Sequence, residues 1–304
     1  MPDISVIICA HNPRPDYLRR VLESLRVQTL SRAQWELLLV DNASKQPLAG
    51  QWDLSWHEHS RHIREDALGL TPARLCGMQN ARADLLVLVD DDNVLRPDFL
   101  ANTLAIARDF PFLGAWGAHI EGEFEQEVPE WLKPYLHALA IREMDRDYWS
   151  NYHADNRSLP FGAGLCVRKS VAQSYAQAIV NRPASLNLGR KGTSLVSGED
   201  VDLAMTAYDA GLGTGMFRRL QITHLIPKTR MTVDYVCRLL EAIKYSNYIL
   251  RNQRDPAYVP SNGSLVRNWL NALKVWRLPE PVRSFAKAES RGFARARAEI
   301  LAKP

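Results

Sequence analysis

Nowhere does this 304-residue chain approach the run of about 18 apolar residues that a membrane-spanning helix needs. Its four cysteines, Cys9, Cys76, Cys166 and Cys237, form no CxxC pair. Each sits among apolar neighbours and reads as a small packed hydrophobe, which makes a reducing compartment the default. The chain runs directly into Ile4-Ser5-Val6-Ile7-Ile8, without the charged lead and long apolar core of a secretory signal. No GxGxxG follows that first apolar run, which excludes a dinucleotide fingerprint. No GxxxxGK with Ser or Thr behind it occurs, which excludes a P-loop. Internal repeats and low-complexity tracts are missing. The net charge of +4 is mild and the basic residues are dispersed except near the C-terminus, so no nucleic-acid partner is expected. The expectation is a cytoplasmic protein, soluble or peripheral on the inner face of a membrane.

What is present is an ordinary globular composition, 46% hydrophobic and 24% charged, in a chain long enough for one large domain or two intimate ones. Its centre is Leu85-Leu86-Val87-Leu88-Val89, a strand buried on both faces, followed at once by Asp90-Asp91-Asp92-Asn93. Alternation along an extended chain puts Asp90 and Asp92 on one side and Asp91 on the other. Like charges at the lip of a dry sheet repel, and a hard divalent cation that brings substrate phosphates relieves them. A solvated acidic turn is the plainer reading of the same residues.

The flanking chain repeats the pattern. Residues 4–10 form an apolar strand ending in His11-Asn12-Pro13, and 16–27 carry Tyr17, Leu18, Val21, Leu22 and Leu25 at helical spacing. Trp35-Glu36-Leu37-Leu38-Leu39-Val40 is a second strand, stopped by Asp41-Asn42-Ala43-Ser44. Residues 45–60 read as a surface loop despite Trp52, Trp56, His57 and His59, and 63–65 as a short strand. A helix over 69–82 presents a small-residue face of Ala73, Cys76, Gly77 and Ala81. If the strands are parallel, three polar strand ends meet along one sheet edge, where open α/β sheets bind ligands.

Further on, a helix is expected to about Phe110 and a strand over 112–118. An irregular acidic stretch then opens a second lobe, and glycine-bent Phe161-Gly162-Ala163-Gly164 leads into a strand ending at Arg168. Ser197-Gly198-Glu199-Asp200 starts a helix whose early acids also suit its dipole. A short strand over 221–227 carries His224, a position more often filled by a packed histidine than by a ligand. Residues 232–252 form a long amphipathic helix. The region after 264 is basic, with Arg267, Lys274, Arg283, Arg291 and Arg295 beside an apolar face of Trp269, Leu270, Leu273 and Trp276. It suits either an interfacial helix on an anionic membrane or a helix packed on the body.

In this order the pieces resemble an inverting glycosyltransferase of family 2. The first strand with His11-Asn12 matches that family's VSVIIPTYN, with Cys9 in place of the usual proline. Val40-Asp41-Asn42-Ala43-Ser44 matches VDDGS, 69–77 matches its NxGxxxARNxG helix, Asp90-Asp91-Asp92 its aspartate-rich motif, and Glu199-Asp200 its ED motif. The resemblance covers 4 to about 224. It implies an α/β fold of GT-A type: a Rossmann-like mixed sheet flanked by helices, with an acceptor-side lobe and a C-terminal helical extension. The corresponding boundaries are 1–118 for the nucleotide-sugar half, 119–228 for the acceptor-binding and catalytic half, and 229–304 for the basic extension.

The resemblance also implies roles. Ala10, His11 and Asn12 line the nucleotide pocket, Asp41 bonds the base (uracil is the expected one), Arg74 contacts the donor, and Asp90 and Asp91 lie on the donor side. Asp92 and His224 hold a divalent metal, Mn2+ or Mg2+, while Asp200 is the general base with Glu199 beside it. Phe161, Gly162, Ala163 and Gly164 border the sugar and acceptor. The partners are then a nucleoside-diphosphate sugar and a hydroxyl of a glycan or lipid-linked acceptor, in surface polysaccharide biosynthesis. Rival readings are a sugar-nucleotide pyrophosphorylase, which wants a glycine-rich basic loop where this chain has His11-Asn12-Pro13-Arg14, and a non-catalytic scaffold docking on a membrane or partner. A metal phosphohydrolase lacks the further acids it needs.

Overall fold

The computed structural model describes residues 1–152, 155–262 and 273–302; the expected apolar face at Trp269 and Leu270, with Arg267, lies outside them. Strands β1 (Ile4–Ala10), β2 (Trp35–Asn42) and β4 (Leu85–Asp90) are buried along nearly their whole length. Runs apolar on both faces cannot meet water on either side, and the two polar interruptions, Ser5 and Glu36, bond each other within the sheet, so these strands occupy its middle. They run parallel in register, Ala10 beside Asp41 and Cys9 beside Asp90, with β3 (Ser60–Glu65) parallel outside β2. The three polar ends therefore do share one edge. Helix α1 (Pro15–Arg26) buries the stripe of Tyr17, Leu18, Val21, Leu22 and Leu25, each such side chain contributing about 1.5–3 kcal/mol over exposure. Helix α2 (Leu70–Asn80) lies so close to the sheet that a Cβ at Gly77 would strike Ile7.

The second half completes the same sheet. After β5 (Asn93–Leu95) and α3 (Phe99–Asp109) come β6 (Leu113–Phe124), β7 (Tyr148–Ser150), β8 (Leu165–Arg168), α4 (Lys169–Asn181), α5 (Glu199–Asp209) and β9 (Gly213–Ile226). The strand order is β3-β2-β1-β4-β8-β6-β9-β5, with β7 on β9, and β8 runs antiparallel to both its neighbours. β6 continues through residue 118, with a shift of register against β9 between Ala118 and His119, so the sheet is continuous between the two expected halves. The expected α/β architecture of a mixed sheet flanked by helices is what is found.

Helices α6 (Val233–Arg254) and α7 (Val282–Leu301) follow. α7 buries Phe285, Ala288, Gly292, Ala296 and Ile300, and a Cβ at Gly292 would strike the Glu241 backbone of α6. Within 282–301 the basic region is thus a helix packed on the body. Arg254 at the end of α6 grips Asp202 of α5 at 2.7 Å. No helix among the described residues is long and apolar enough to cross a membrane.

The 45–60 segment departs from its surface-loop reading: Leu48, Leu54 and His57 are buried, and His57 stands edge-on to Trp35 with ring centroids 4.1 Å apart. The loop closes over Trp35, which could not otherwise be covered at the sheet's end. Burial pushes His57 down to about 4 from 6.5. The stability carried by this neutral ring is therefore complete above pH 6.5 and lost as pH falls toward 4. Relative to His57→Phe, the parent should lose about 3 kcal/mol across that window. Paired thermal melts check this; a constant difference would remove His57 from the acid response.

Candidate active site

A cavity of about 770 Å³ opens at the shared strand edge, a size typical of small-molecule sites. The turns after β1 and β2 form one wall and are tied together. Asn12, at φ 47°, receives Lys45 N–H on Oδ1, and its own N–H donates to Ser44 Oγ. His11 Nδ1 donates to the Asn42 carbonyl at 2.6 Å, which leaves Nε2 to accept from Asn12 Nδ2. Asn42 in turn holds the 65–69 loop, accepting from Gly69 N–H and donating to Ala67 O. Ala10, His11, Asn12 and Asn42 all line the cavity.

Asp41 does not join them. It is buried, and its carboxylate accepts from Ser44 N–H, Leu48 N–H and Arg64 Nη1 at 2.7–3.1 Å. Against the cost of burial, these donors hold its carboxyl below the usual range. The residue closes the turn beneath the cavity.

The three central aspartates all face the cavity, which corrects the alternating pattern expected of them. β4 ends at Asp90, and a turn at Asp91 and Asp92 breaks the extended geometry on which alternation depends. Burial, then the charges of Asp92 and Asp90, push Asp91 up to about 7. Asp90 accepts from Arg74 Nη2 at 2.9 Å. Arg74, only 3% exposed, reaches from α2 to Glu199 as well, at 2.5 Å. Burial pushes Glu199 up to about 7 against the pull of that guanidinium. One cation thus joins the ends of β4 and α5.

Asp200, next on α5, is half-buried and lines the cavity. Its Oδ2 accepts the Gly162 N–H at 2.6 Å and its Oδ1 the Val201 N–H at 2.9 Å, which fixes the carboxylate and leaves a lone pair on each oxygen. A Cβ at Gly162 would lie 2.7 Å from Arg74 and 3.0 Å from Asp200, so only glycine brings the backbone this close. Phe161 and Ala163 border the same space. Gly164, at φ 66°, turns the chain into β8.

Antiparallel pairing of β5 with β9 sets Asn93 opposite His224, and Leu225 N–H donates to the Asp92 carbonyl at 2.9 Å. His224 Nε2 then lies 3.4 Å from Asp92 Oδ2. His224 Nδ1 is buried without a partner, so Nε2 is the ring's working nitrogen. Arg230 Nη1 is 3.0 Å from Asp92 Oδ2 and 3.3 Å from that Nε2. Against burial, the positive charge facing it, which Arg230 carries permanently, holds the Asp92 carboxyl well below its usual range. A carboxylate and an imidazole nitrogen converging in one cavity have the chemistry to fit a hard cation that takes its other ligands from a substrate's oxygens. No group of three His, Cys, Asp or Glu suited to a metal exists among the described residues, so among these such a cation would have two protein ligands and would need a diphosphate to fill its remaining positions.

Sequence reading missed Arg230 and Arg190, both on the cavity wall, and the apolar wall that α6 supplies through Leu239, Leu240 and Ile243. Two single basic residues in irregular loops carry no periodic signal.

A family model described as Glycosyl transferase family 2 matches residues 5–166, more than half of the chain. The succinoglycan biosynthesis protein ExoW of Rhizobium meliloti is 34% identical over 107 residues, covering 34% of this chain and 33% of that protein. Polypeptide N-acetylgalactosaminyltransferase 8 of Drosophila melanogaster is 35% identical over 96 residues, covering 30% and 16%. The match thus spans a third or less of each relative's own length. Among solved structures, TarS 1-349 of S. aureus superposes with a TM-score of 0.51 at 14% identity, over 98% of this chain and 91% of that one. The same protein in complex with UDP-GlcNAc gives 0.50. The likeness is one of fold, and that fold is the GT-A architecture.

Proposed function

We propose, for a chain that belongs to glycosyl transferase family 2, that it moves a sugar from a nucleoside-diphosphate sugar, UDP-linked by preference, to a hydroxyl of a glycan or lipid-linked acceptor with inversion at the anomeric carbon. Surface polysaccharide assembly is the setting that ExoW's name supports. The observation that carries the reading is that one cavity holds both the Asp92–His224 pair and the free lone pairs of Asp200. The first suits a departing diphosphate and the second an incoming hydroxyl.

An acceptor hydroxyl is a poor nucleophile until a carboxylate within hydrogen-bond reach removes its proton. Asp200, fixed by two backbone N–H groups, takes that proton on the oxygen facing the cavity. Glu199 does not compete for this role, because Arg74 holds it; it and Asp90 keep the guanidinium, and with it Gly162, in place. Attack from the face opposite the leaving group inverts the sugar carbon, and one base suffices where a retaining hydrolase needs a second carboxylate. Ala10, His11 and Asn12 form the floor for the nucleotide, and Asp41 holds the turn on which that floor rests. Asp92 and His224 would hold a Mn2+ or Mg2+ ion, which when bound supplies charge against the diphosphate. Phe161 and the α6 wall exclude water from the acceptor side.

Calorimetric titration with UDP, GDP, dTDP and CDP, each with Mn2+ and with EDTA, tests the reading. One nucleotide should bind, and only with metal. In Asp92→Ala that metal-dependent affinity should fall by at least about 100-fold, since even second-shell losses cost 10- to 100-fold at metal sites. Equal affinity with EDTA, or an unaffected variant, would remove Asp92 from the role.

A further inference from the structure

Arg230 occupies a curious position for a residue beside a cation site. Its Nη1 lies 3.0 Å from Asp92 Oδ2 and 3.3 Å from His224 Nε2, within bonding distance of both groups that would ligate a metal. A guanidinium has no lone pair to offer, so the contact to Nε2 is a hydrogen bond only with Nε2 as acceptor. That is the form in which an imidazole ligates metal. Asp92 and His224 then present two acceptors to each other across 3.4 Å. Such a pair needs positive charge between or beside it, and Arg230 supplies that charge. Its side chain is only 25% exposed, and its loop (Lys228–Arg230) is anchored just past β9.

We propose that Arg230 is a placeholder for the divalent cation: it neutralises Asp92 and His224 in the donor-free protein and gives them up when metal and diphosphate arrive together. The proposal rests on reading the Asp92–His224 pair as a cation site. Two positive groups cannot share the pair, so metal alone must first displace a partly buried ion pair. A diphosphate changes that balance, because it gives the displaced guanidinium a bidentate anion within the cavity that Arg230 already lines. Metal binding and nucleotide binding are thereby coupled through one side chain. By linkage the coupling is reciprocal: UDP raises metal affinity by the factor by which metal raises UDP affinity.

The test is Mn2+ uptake by the full chain, followed by the EPR signal of free Mn2+, with and without UDP. The wild type should bind Mn2+ alone weakly and gain at least tenfold when UDP is added. Arg230→Met should bind Mn2+ alone at least tenfold more tightly than wild type, and UDP should add little to it. Arg230→Lys, which keeps the charge, should stay near wild type. Arg230→Gln serves as a second neutral variant should the methionine disturb folding, which circular dichroism reads directly. If wild type takes up Mn2+ with UDP but the neutral variants bind Mn2+ alone no better than wild type, the placeholder is overturned and the cation site stands. If no form takes up Mn2+ even with UDP, the cation site falls and the placeholder with it.

Discussion

Asp200→Asn is expected to abolish sugar transfer by about 10²- to 10⁴-fold while leaving nucleotide binding within about twofold of wild type, the range over which a positioned general base accelerates proton removal. The substitution is nearly isosteric. An asparagine oxygen can keep the bond from Gly162 N–H, now 2.6 Å, and only the weaker link to Val201 N–H is lost. What disappears is the capacity to accept a proton. The fall should therefore sit in kcat, with KM for the donor little moved, because the proposed donor site lies with Asp92 and His224 and not with Asp200. A variant that transfers sugar at a rate near wild type would take Asp200 out of the base role. One that loses both transfer and UDP binding would instead mark it as part of the donor site.

Arg74→Met should be the most destabilising single change at the site. The guanidinium is 3% exposed and serves two carboxylates, Asp90 at 2.9 Å and Glu199 at 2.5 Å. Removing it strands both, and breaking a buried pair from one side costs about 3–5 kcal/mol. For a chain of this size the melting midpoint falls by on the order of 10 °C. Adding Glu199→Gln to Arg74→Met should restore part of the loss, because the fully buried member of the pair then carries no charge. Thermal unfolding of wild type, single and double variants measures this. A single variant within about 1 kcal/mol of wild type, or a double variant no better than the single, would show that the network is not held by charge.

The N-terminal half was the legible half. β1, β2 and β4 are apolar nearly throughout, a pattern that suits a doubly covered strand, and their polar ends fall where parallel pairing brings them. The small-residue face of α2 declared its close approach to the sheet. Reading weakened wherever the local signal was diluted. α4 buries Val171, Ala172, Tyr175 and Ile179, a narrow stripe among Lys, Ser and Gln, and it went unread. β9 starts eight residues before the strand expected at 221, because Arg218 and Arg219 interrupt its apolar run. Asp41 looked free to meet a base, since nothing local predicts that Arg64, 23 residues on, reaches back to it. Asp91 changed sides because the chain turns at Asp91 and Asp92, which alternation ignores.

The pairing of β5 with β9 joins Asn93 to His224, 131 positions apart in the chain. During synthesis the chain emerges from its N-terminus at about 5–20 residues per second. The strands β1 to β4 can therefore pair long before β9 exists, and for that interval one wall of the cavity stands without the other. Asp92 waits at a raw sheet edge until the strand carrying His224 arrives to cover it. A nascent chain halted before residue 213 should thus be folded in part and blind to the donor. Closure of the proposed site is a late event in the life of the polypeptide, delivered by the strand that brings His224.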